Sequence, residues 1–212
     1  GLTLNLKTPE GLSLFMRLVE TADIVVENFR PDVKDRLGID YHALAAVNPG
    51  IILASISGFG QEGPYAKRAG FDQIAQGMGG LMSITGQPDG SPGGGPMKVG
   101  VAVCDLFTGM FAANAALAAL AYRSRTGIGQ HIDCALLDSQ ISMLANQSAN
   151  WLNAEICPGR MGNSHPSVVP YTVYEAKDGF VIIACGNDKQ FIRLTAALGI
   201  PALADDDDFA SN

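Results

Sequence analysis

One carboxylate, Asp105, stands alone at the start of a predicted helix, a placement that suits either a structural cap or an ionised group available for chemistry. It stands in Met97-Lys98-Val99-Gly100-Val101-Ala102-Val103-Cys104-Asp105-Leu106-Phe107-Thr108-Gly109-Met110, an apolar approach followed by one carboxylate and then small residues. From Leu106 to about Tyr122 the run is dominated by Ala and Leu, the strongest helix formers, and a long helix is predicted there. Asp105 then falls at the N-cap or beside it. A carboxylate in that place accepts orphan backbone N–H groups and feels the positive end of the helix dipole. Its pKa is therefore expected to fall, leaving it ionised at neutral pH. A purely structural N-cap would use the same residue in the same place, so the surroundings must decide.

Two other stretches carry unusual side chains at predicted strand ends. One is Asn28-Phe29-Arg30 with Arg36. The other runs from Ser57 to Asp72 and includes Lys67 and Arg68. Basic groups gathered there in a chain of net charge −7 suit an anionic, phosphate-bearing ligand. Solubilising surface charge is the plainer alternative. No Gly-x-Gly-x-x-Gly follows a strand, and there is no Walker loop or Gly-x-Ser-x-Gly elbow. His42, His131 and His165 lack the spacing of metal ligands, and no metal is expected.

The elements that must position these residues follow from local signals. Thr8-Pro9-Glu10 opens a helix with Thr as cap and Pro in the first turn, and Leu12, Phe15, Met16 and Val19 give it an apolar face. Residues 23–27 read as a short buried strand, Pro31 to Arg36 as a helix, and Tyr41 to Val47 as a helix capped by Asp40. Ile51 to Ser57 reads as the next strand. Such alternation predicts an α/β domain with a parallel sheet, whose ligands bind at the carboxyl ends of the strands. Gly58 to Tyr65 is a loop at such an end, and a helix is expected from Gly70-Phe71-Asp72 to about Met78. Residues 86–96 read as a hinge or exposed loop. Gln130 to Cys134 is a further strand, and Leu136 to about Asn153 a second long helix with Trp151 in the core. Lys177-Asp178-Gly179 between apolar runs signals a β-hairpin, and Asn187 to Leu198 a helix. The boundary between the α/β part, residues 1–155, and a second part, 156–212, is placed within the Gly/Pro-punctuated loop that follows.

The chain has 212 residues, 47% of them hydrophobic, enough for a full core. Its acidity gives no support to a nucleic-acid partner. The four cysteines are scattered, which fits a reducing cytoplasm rather than a disulfide framework or zinc site. No apolar run reaches membrane-span length and no signal peptide is evident, so no membrane partner is expected. The sequence opens in Leu-Thr-Leu-Asn-Leu, which reads as a strand, and stops soon after Asp205 to Asp208. Both ends look cut, as in a fragment.

Taken together, these motifs resemble family III CoA-transferases. The resemblance rests on Ile-Val-Val-Glu-Asn28-Phe29-Arg30-Pro31 with Arg36-Leu-Gly, and on Ser55-Ile-Ser57-Gly58-Phe59-Gly60-Gln-x-Gly63-Pro64. It extends to Gly70-Phe71-Asp72-x-Ile-Ala-Gln, Lys98-Val-Gly100 leading to Asp105-Leu-x-Thr108-Gly109, and Arg125-Thr126-Gly127-x-Gly129-Gln130. Each motif alone is weak, but five in this order are specific. The resemblance implies a Rossmann-like parallel-sheet domain followed by part of a smaller α+β domain, in a fold whose subunits interlock as a homodimer. It also implies a chain about half the length of known members.

The family assigns Asp105 as the nucleophile, which forms an acyl–aspartyl anhydride and then an aspartyl-CoA thioester before the acceptor carboxylate takes over. Asn28, Phe29, Arg30 and Arg36 match positions that hold the nucleotide end of CoA, and Gly70, Phe71 and Asp72 match a segment lining its cleft. Arg68 is matched less securely. Coenzyme A enters as a substrate; no other cofactor is implied, and the partners are an acyl-CoA donor and a carboxylate acceptor. Related 2-methylacyl-CoA racemases pair the aspartate with the histidine of a Gly-His-Asp motif; this chain has Phe71 there, which moves no proton. A chain that binds CoA without catalysis is the remaining alternative. The loop Arg160 to Pro166, Val169-Pro170-Tyr171 and Gly186 to Phe191 look most like members acting on dicarboxylates.

Overall fold

A Thr side chain starts the first helix as the sequence predicts. Thr8 Oγ1 accepts the Gly11 N–H at 3.2 Å, and Pro9 occupies the first turn, where its missing N–H costs nothing. The computed structural model describes residues 1–209. In chain order the elements are α1 (Pro9–Val19), β1 (Ile24–Glu27), α2 (Pro31–Leu37), α3 (Tyr41–Val47), β2 (Ile52–Ser57), α4 (Asp72–Met78), α5 (Leu81–Ile84), α6 (Val103–Thr126), β3 (His131–Ala135), α7 (Leu136–Ser142), α8 (Asn146–Ala154), β4 (Tyr171–Ala176), β5 (Gly179–Ala184) and α9 (Asp188–Ala197).

The chain forms two compact units. The first comprises Gly1–Met82 and Lys98–Cys157; the second comprises Ser83–Met97 and the chain from Pro158 on. In the first unit β1, β2 and β3 make a parallel sheet in that order, an α/β, Rossmann-like architecture. The register puts Val25, Leu53 and His131 in one cross-strand row, and Glu27, Ser55 and Asp133 in the next row of the same face. That face packs against α1 and α3 through Val19, Ile39, Leu44, Ile51 and Leu53. On the opposite face, Ile24, Val26, Ala54 and Ile56 look toward the small residues Gly109, Ala112, Ala113 and Ala116 of α6. In the second unit β4 and β5 form the antiparallel hairpin expected around Asp178-Gly179, and Asn187 caps α9 by accepting the Gln190 N–H.

Several sequence expectations need correction. Leu2 to Leu6 form no strand; the segment runs into a turn closed by the Thr8 N–H on the Asn5 carbonyl. β1 is only partly buried, with Val26 64% exposed, because it lies at an edge of the described sheet. The single long helix from Leu136 is two helices. Met143 and Leu144 close α7 with tight bonds to the carbonyls three residues back, and Ala145 takes a positive φ of 46°. Apolar spacing continues through this break, so periodicity could not reveal it. Trp151 is 55% exposed rather than in the core. Finally, α6 has 24 residues and is long and apolar enough, by length and composition, to cross a membrane. Here it packs on β2, β3 and α7. Counting uninterrupted apolar residues missed it because Thr108, Gly109 and Asn114 punctuate a stretch that is apolar on average.

Candidate active site

The carboxyl ends of β1 and β2 open into two adjoining clefts that share part of their walls. The first, of about 430 Å3, is lined by Asn28, Ile56, Gly58, Gly70, Phe71, Asp72, Asp105 and Leu136. The second, of about 240 Å3, shares Asn28, Gly58, Gly70 and Phe71 and adds Phe29, Arg30, Ser57 and Arg68 among its walls. Of the residues singled out at the strand ends and at Asp105, the structure thus brings together all but Arg36 and Lys67. The Arg36 side chain lies 3.2 Å from Asp32 on its own helix and lines neither cleft. Lys67 is exposed and lines neither cleft.

The loops forming these walls are held from beneath. Asn28 Nδ2 donates to the Ile56 carbonyl at 2.8 Å, tying the end of β1 to β2. Glu27, itself buried, accepts the Phe29 N–H at 2.7 Å. The buried Lys34 of α2 lies 3.8 Å from the other Glu27 oxygen and donates to Gln61 Oε1. The Gln61 N–H in turn reaches Asp133 at 2.8 Å. The Glu27 oxygen facing Lys34 makes no hydrogen bond, and the carboxylate's hold on the backbone beneath Phe29 and Arg30 is its bond from the Phe29 N–H. The Arg68 guanidinium sits 4.0 Å from the Tyr65 ring centroid, a cation–π contact that orders a long side chain at the cleft edge.

Asp105 differs from its predicted setting. The helix begins at Val103, two residues before Asp105, so Asp105 lies in the first turn and not at the cap. Ala102, at the N-cap, offers no side-chain bond. The cap comes from Asp72 instead, whose Oδ1 accepts the Cys104 N–H at 2.8 Å. The Val103 N–H goes to the Val101 carbonyl at 2.8 Å. Two of the donors a helix start leaves open are therefore already taken. The expected fall in the Asp105 pKa is also overturned: the group is raised, first by its partial burial and then by the negative charge of Asp72. Both outweigh the helix dipole, whose contribution is small and confined to the first turn. The neighbouring Cys104 thiol is pushed up to about 12, mainly by burial and then by Asp72, so it stays protonated at neutral pH and offers no competing thiolate.

Reading the sequence missed Gln76 as a site residue. It lies inside the Gly70-Phe71-Asp72-x-Ile-Ala-Gln motif, is fully buried, and donates to Asp72 Oδ2 at 2.7 Å. Its polar side chain at an inward position, one turn after Asp72, was the available signal. Among the described residues, no group of three or more His, Cys, Asp or Glu side chains could hold a metal ion.

The α/β fold thus sets an ionisable carboxylate near a helix start, in a cleft at the carboxyl edge of a parallel sheet, beside a second cleft lined by two arginines. The chain belongs to CoA-transferase family III, whose sequence profile matches residues 1–212. It is 55% identical over 208 residues to the succinate–glutarate CoA-transferase of Agrobacterium fabrum, covering 98% of this chain and 51% of that protein. It is 41% identical to the succinyl-CoA:glutarate CoA-transferase of Mus musculus, covering 100% of this chain and 48% of the relative. A solved CaiB/BaiF family protein from Brucella suis superposes with a TM-score of 0.84 at 50% identity, covering 100% of this chain and 55% of that one. The chain thus spans about half the length of the curated relatives it matches.

Proposed function

We propose that this chain carries the nucleophile and the CoA-binding wall of an enzyme that moves coenzyme A from an acyl-CoA thioester to a carboxylic acid, with dicarboxylates as its substrates. The observation that carries the reading is the placement of the Asp105 carboxylate in a cleft that shares the walls Asn28, Gly58, Gly70 and Phe71 with the one that Arg30 and Arg68 line. Relatives named for succinate, glutarate and oxalate support the substrate class.

In this reading an Asp105 oxygen attacks the donor thioester carbonyl. The C–S bond breaks, CoA leaves as thiolate, and a mixed acyl–aspartyl anhydride remains. The thiolate attacks the Asp105 carbonyl carbon, releasing the donor's carboxylate and leaving an aspartyl-CoA thioester. The acceptor carboxylate attacks that thioester, expels the thiolate again and forms a second anhydride. The thiolate then attacks the acceptor's acyl carbon, and the Asp105 carboxylate departs unchanged. The thioester is exchanged and never hydrolysed, which is the gain from covalent catalysis here. Phosphates of CoA fit the arginine side of the cleft, because charge-assisted bonds to a guanidinium are strong and directional. Asn28, Phe29, Gly70 and Phe71 shape the passage between the two ends, and Arg36 reaches the ligand only by leaving Asp32.

The same reading makes the full-length protein a homodimer and places the reaction in the cytoplasm. The cysteines Cys104, Cys134, Cys157 and Cys185 are all unpaired, which supports a reducing compartment. The decisive experiment uses the full-length protein with succinyl-CoA and glutarate. Asp105→Asn is expected to abolish exchange while the fold survives, and hydroxylamine is expected to trap an acyl-aspartyl adduct only in the wild type. A folded Asp105→Asn protein that keeps most of its activity overturns the assignment.

A further inference from the structure

Gln76 presents an unusual combination of burial and connectivity. It is 0% exposed. Its Nε2 donates to Asp72 Oδ2 at 2.7 Å and lies 3.5 Å from the Val101 carbonyl, while its Oε1 accepts the Val99 N–H at 2.8 Å. One amide therefore grips both the carboxylate that caps α6 and the extended approach that leads into α6. Burying an amide is costly unless its donors and acceptor are paired, and an aliphatic side chain of similar size would fill the space without that cost. What the amide adds is orientation. Asp72 is left with Oδ1 on the Cys104 N–H and Oδ2 on Gln76, so its carboxylate plane is fixed at two points.

The consequence falls on Asp105. The N-cap residue Ala102 cannot hold the first turn of α6. That turn is held instead by Asp72 on the Cys104 N–H, and one turn on by Thr108 Oγ1 on the Cys104 carbonyl at 2.6 Å. Asp105 is the next residue after Cys104, and its position in the cleft follows from that anchorage. We propose that Gln76 is a positioning residue for the transfer reaction: by locking Asp72 and the Val99–Val101 approach to each other, it holds the first turn of α6 and so aims the Asp105 carboxylate. The inference rests on the reading of Asp105 as the nucleophile.

Two substitutions in the full-length protein test it. Gln76→Met conserves volume but leaves Asp72 Oδ2 and the Val99 N–H without their partner. It is expected to lower kcat for succinyl-CoA:glutarate exchange roughly 10- to 100-fold, the scale of a nucleophile displaced by about 1 Å, with KM for the donor little changed. Amide hydrogen exchange of the segment 97–107 is expected to quicken, while the C-terminal half of α6 keeps its protection.

Gln76→Glu adds a readout that a merely structural role would not move. Asp72 on α4 faces position 76 directly, Asp105 on α6 interacts with Asp72, Lys98 stands beside Val99 on the approach, and the Cys104 thiol, at about 12, stays protonated. In that variant a protonated carboxyl at position 76 donates to Asp72 as the amide does, whereas an ionised one faces it as a like charge. The ratio of variant to wild-type kcat is therefore expected to be near one at acid pH and to fall as pH rises, the wild-type profile dividing out the titration of Asp105 itself. A Gln76→Met protein with wild-type kcat and unchanged exchange at 97–107 overturns the proposal. So does a Gln76→Glu ratio that does not change with pH, which also decides the matter if Gln76→Met does not fold. Failure of the nucleophile reading is distinct: it shows as an active Asp105→Asn.

Discussion

Gly58 and Gly70 cross backbone to backbone: a Cβ placed on Gly58 would meet the Gly70 Cα at 2.3 Å, and one placed on Gly70 would meet the Gly58 Cα at 2.1 Å. Neither glycine needs a left-handed conformation, so the requirement is purely for space. The crossing presses the Gly70-Phe71-Asp72 segment onto the end of β2, and both clefts are built around it. Because the obstacle is backbone and not a flexible side chain, it cannot step aside. Gly58→Ala and Gly70→Ala are each expected to destabilise the protein by about 1–3 kcal/mol, the usual cost of overpacking. Urea denaturation of the two variants measures it. An unchanged midpoint in either variant contradicts the crossing.

Asp105 and Asp72 make the pH dependence of the reaction specific. The Asp105 pKa is raised by burial and then by Asp72, so the acid limb of kcat/KM is expected above the ordinary carboxylate range. Asp72→Asn keeps an oxygen able to cap the Cys104 N–H but removes the charge. The limb is then expected to move down, though not fully, since burial remains. The stability linkage has a definite sign. A carboxyl whose folded-state pKa is raised holds its proton more tightly when folded. Its favourable contribution is complete below the unfolded value and is lost as pH rises through the folded one. Asp105→Asn is therefore expected to raise Tm at neutral pH and to make no difference at acid pH, as thermal denaturation at the two pH values would show.

Arg30 and Arg36 separate in the structure although the sequence groups them. Arg30 lines the cleft with Arg68, with its Nε 3.8 Å from one Asp32 oxygen, whereas Arg36 lies 3.2 Å from the other and lines neither cleft. Losing one charge-assisted contact to a phosphate costs roughly 1.5–3 kcal/mol, about ten- to a hundredfold in affinity. Arg30→Ala is expected to raise KM for the acyl-CoA donor by that factor while leaving KM for the acceptor unchanged. Arg36→Ala is expected to have a smaller effect on the same constant, because Arg36 lines neither cleft. Steady-state kinetics with both substrates varied rank the two; a larger effect at Arg36 reverses the assignment.

The parts of the fold written in local chemistry were legible. Thr8-Pro9, Asp40 and Asn187 start helices by capping, and Asp178-Gly179 turns a hairpin, as their types predict. Residues that line the clefts were legible where motif and strand end coincide, as at Asn28 to Arg30. What stayed hidden depends on residues distant in sequence. Asp72 caps a helix that begins 31 positions later at Val103, and no local pattern shows that a helix will borrow its cap. The direction of the Asp105 shift was hidden for the same reason, since the dipole of its own helix is local while the Asp72 charge and the cleft wall are not. The break at Ala145 depends on backbone geometry that its apolar neighbours do not encode.

Phe71 and Asp105 line the same cleft, and under the proposed function this pair is expected to permit transfer and not racemisation. Removing and returning the α-proton of a 2-methylacyl thioester requires a base on each face of one carbon. Asp105 can serve one face. Phe71, beside it in the cleft, has a ring that neither accepts nor donates a proton. Asp72 is a poor substitute, because both its oxygens are engaged by the Cys104 N–H and the Gln76 amide. The full-length protein incubated with a chiral 2-methylacyl-CoA in D2O is therefore expected to leave the α-hydrogen in place and to retain configuration. Adding a dicarboxylate such as glutarate to a succinyl-CoA reaction is expected to move CoA under the same conditions. Rapid deuterium uptake at the α-carbon with no acceptor present would show a second base and place the reaction with the racemases. Phe71→His then asks whether the missing imidazole is all that separates the two activities: α-deuteration is expected to appear in that variant only if the ring lands opposite Asp105 across the bound thioester.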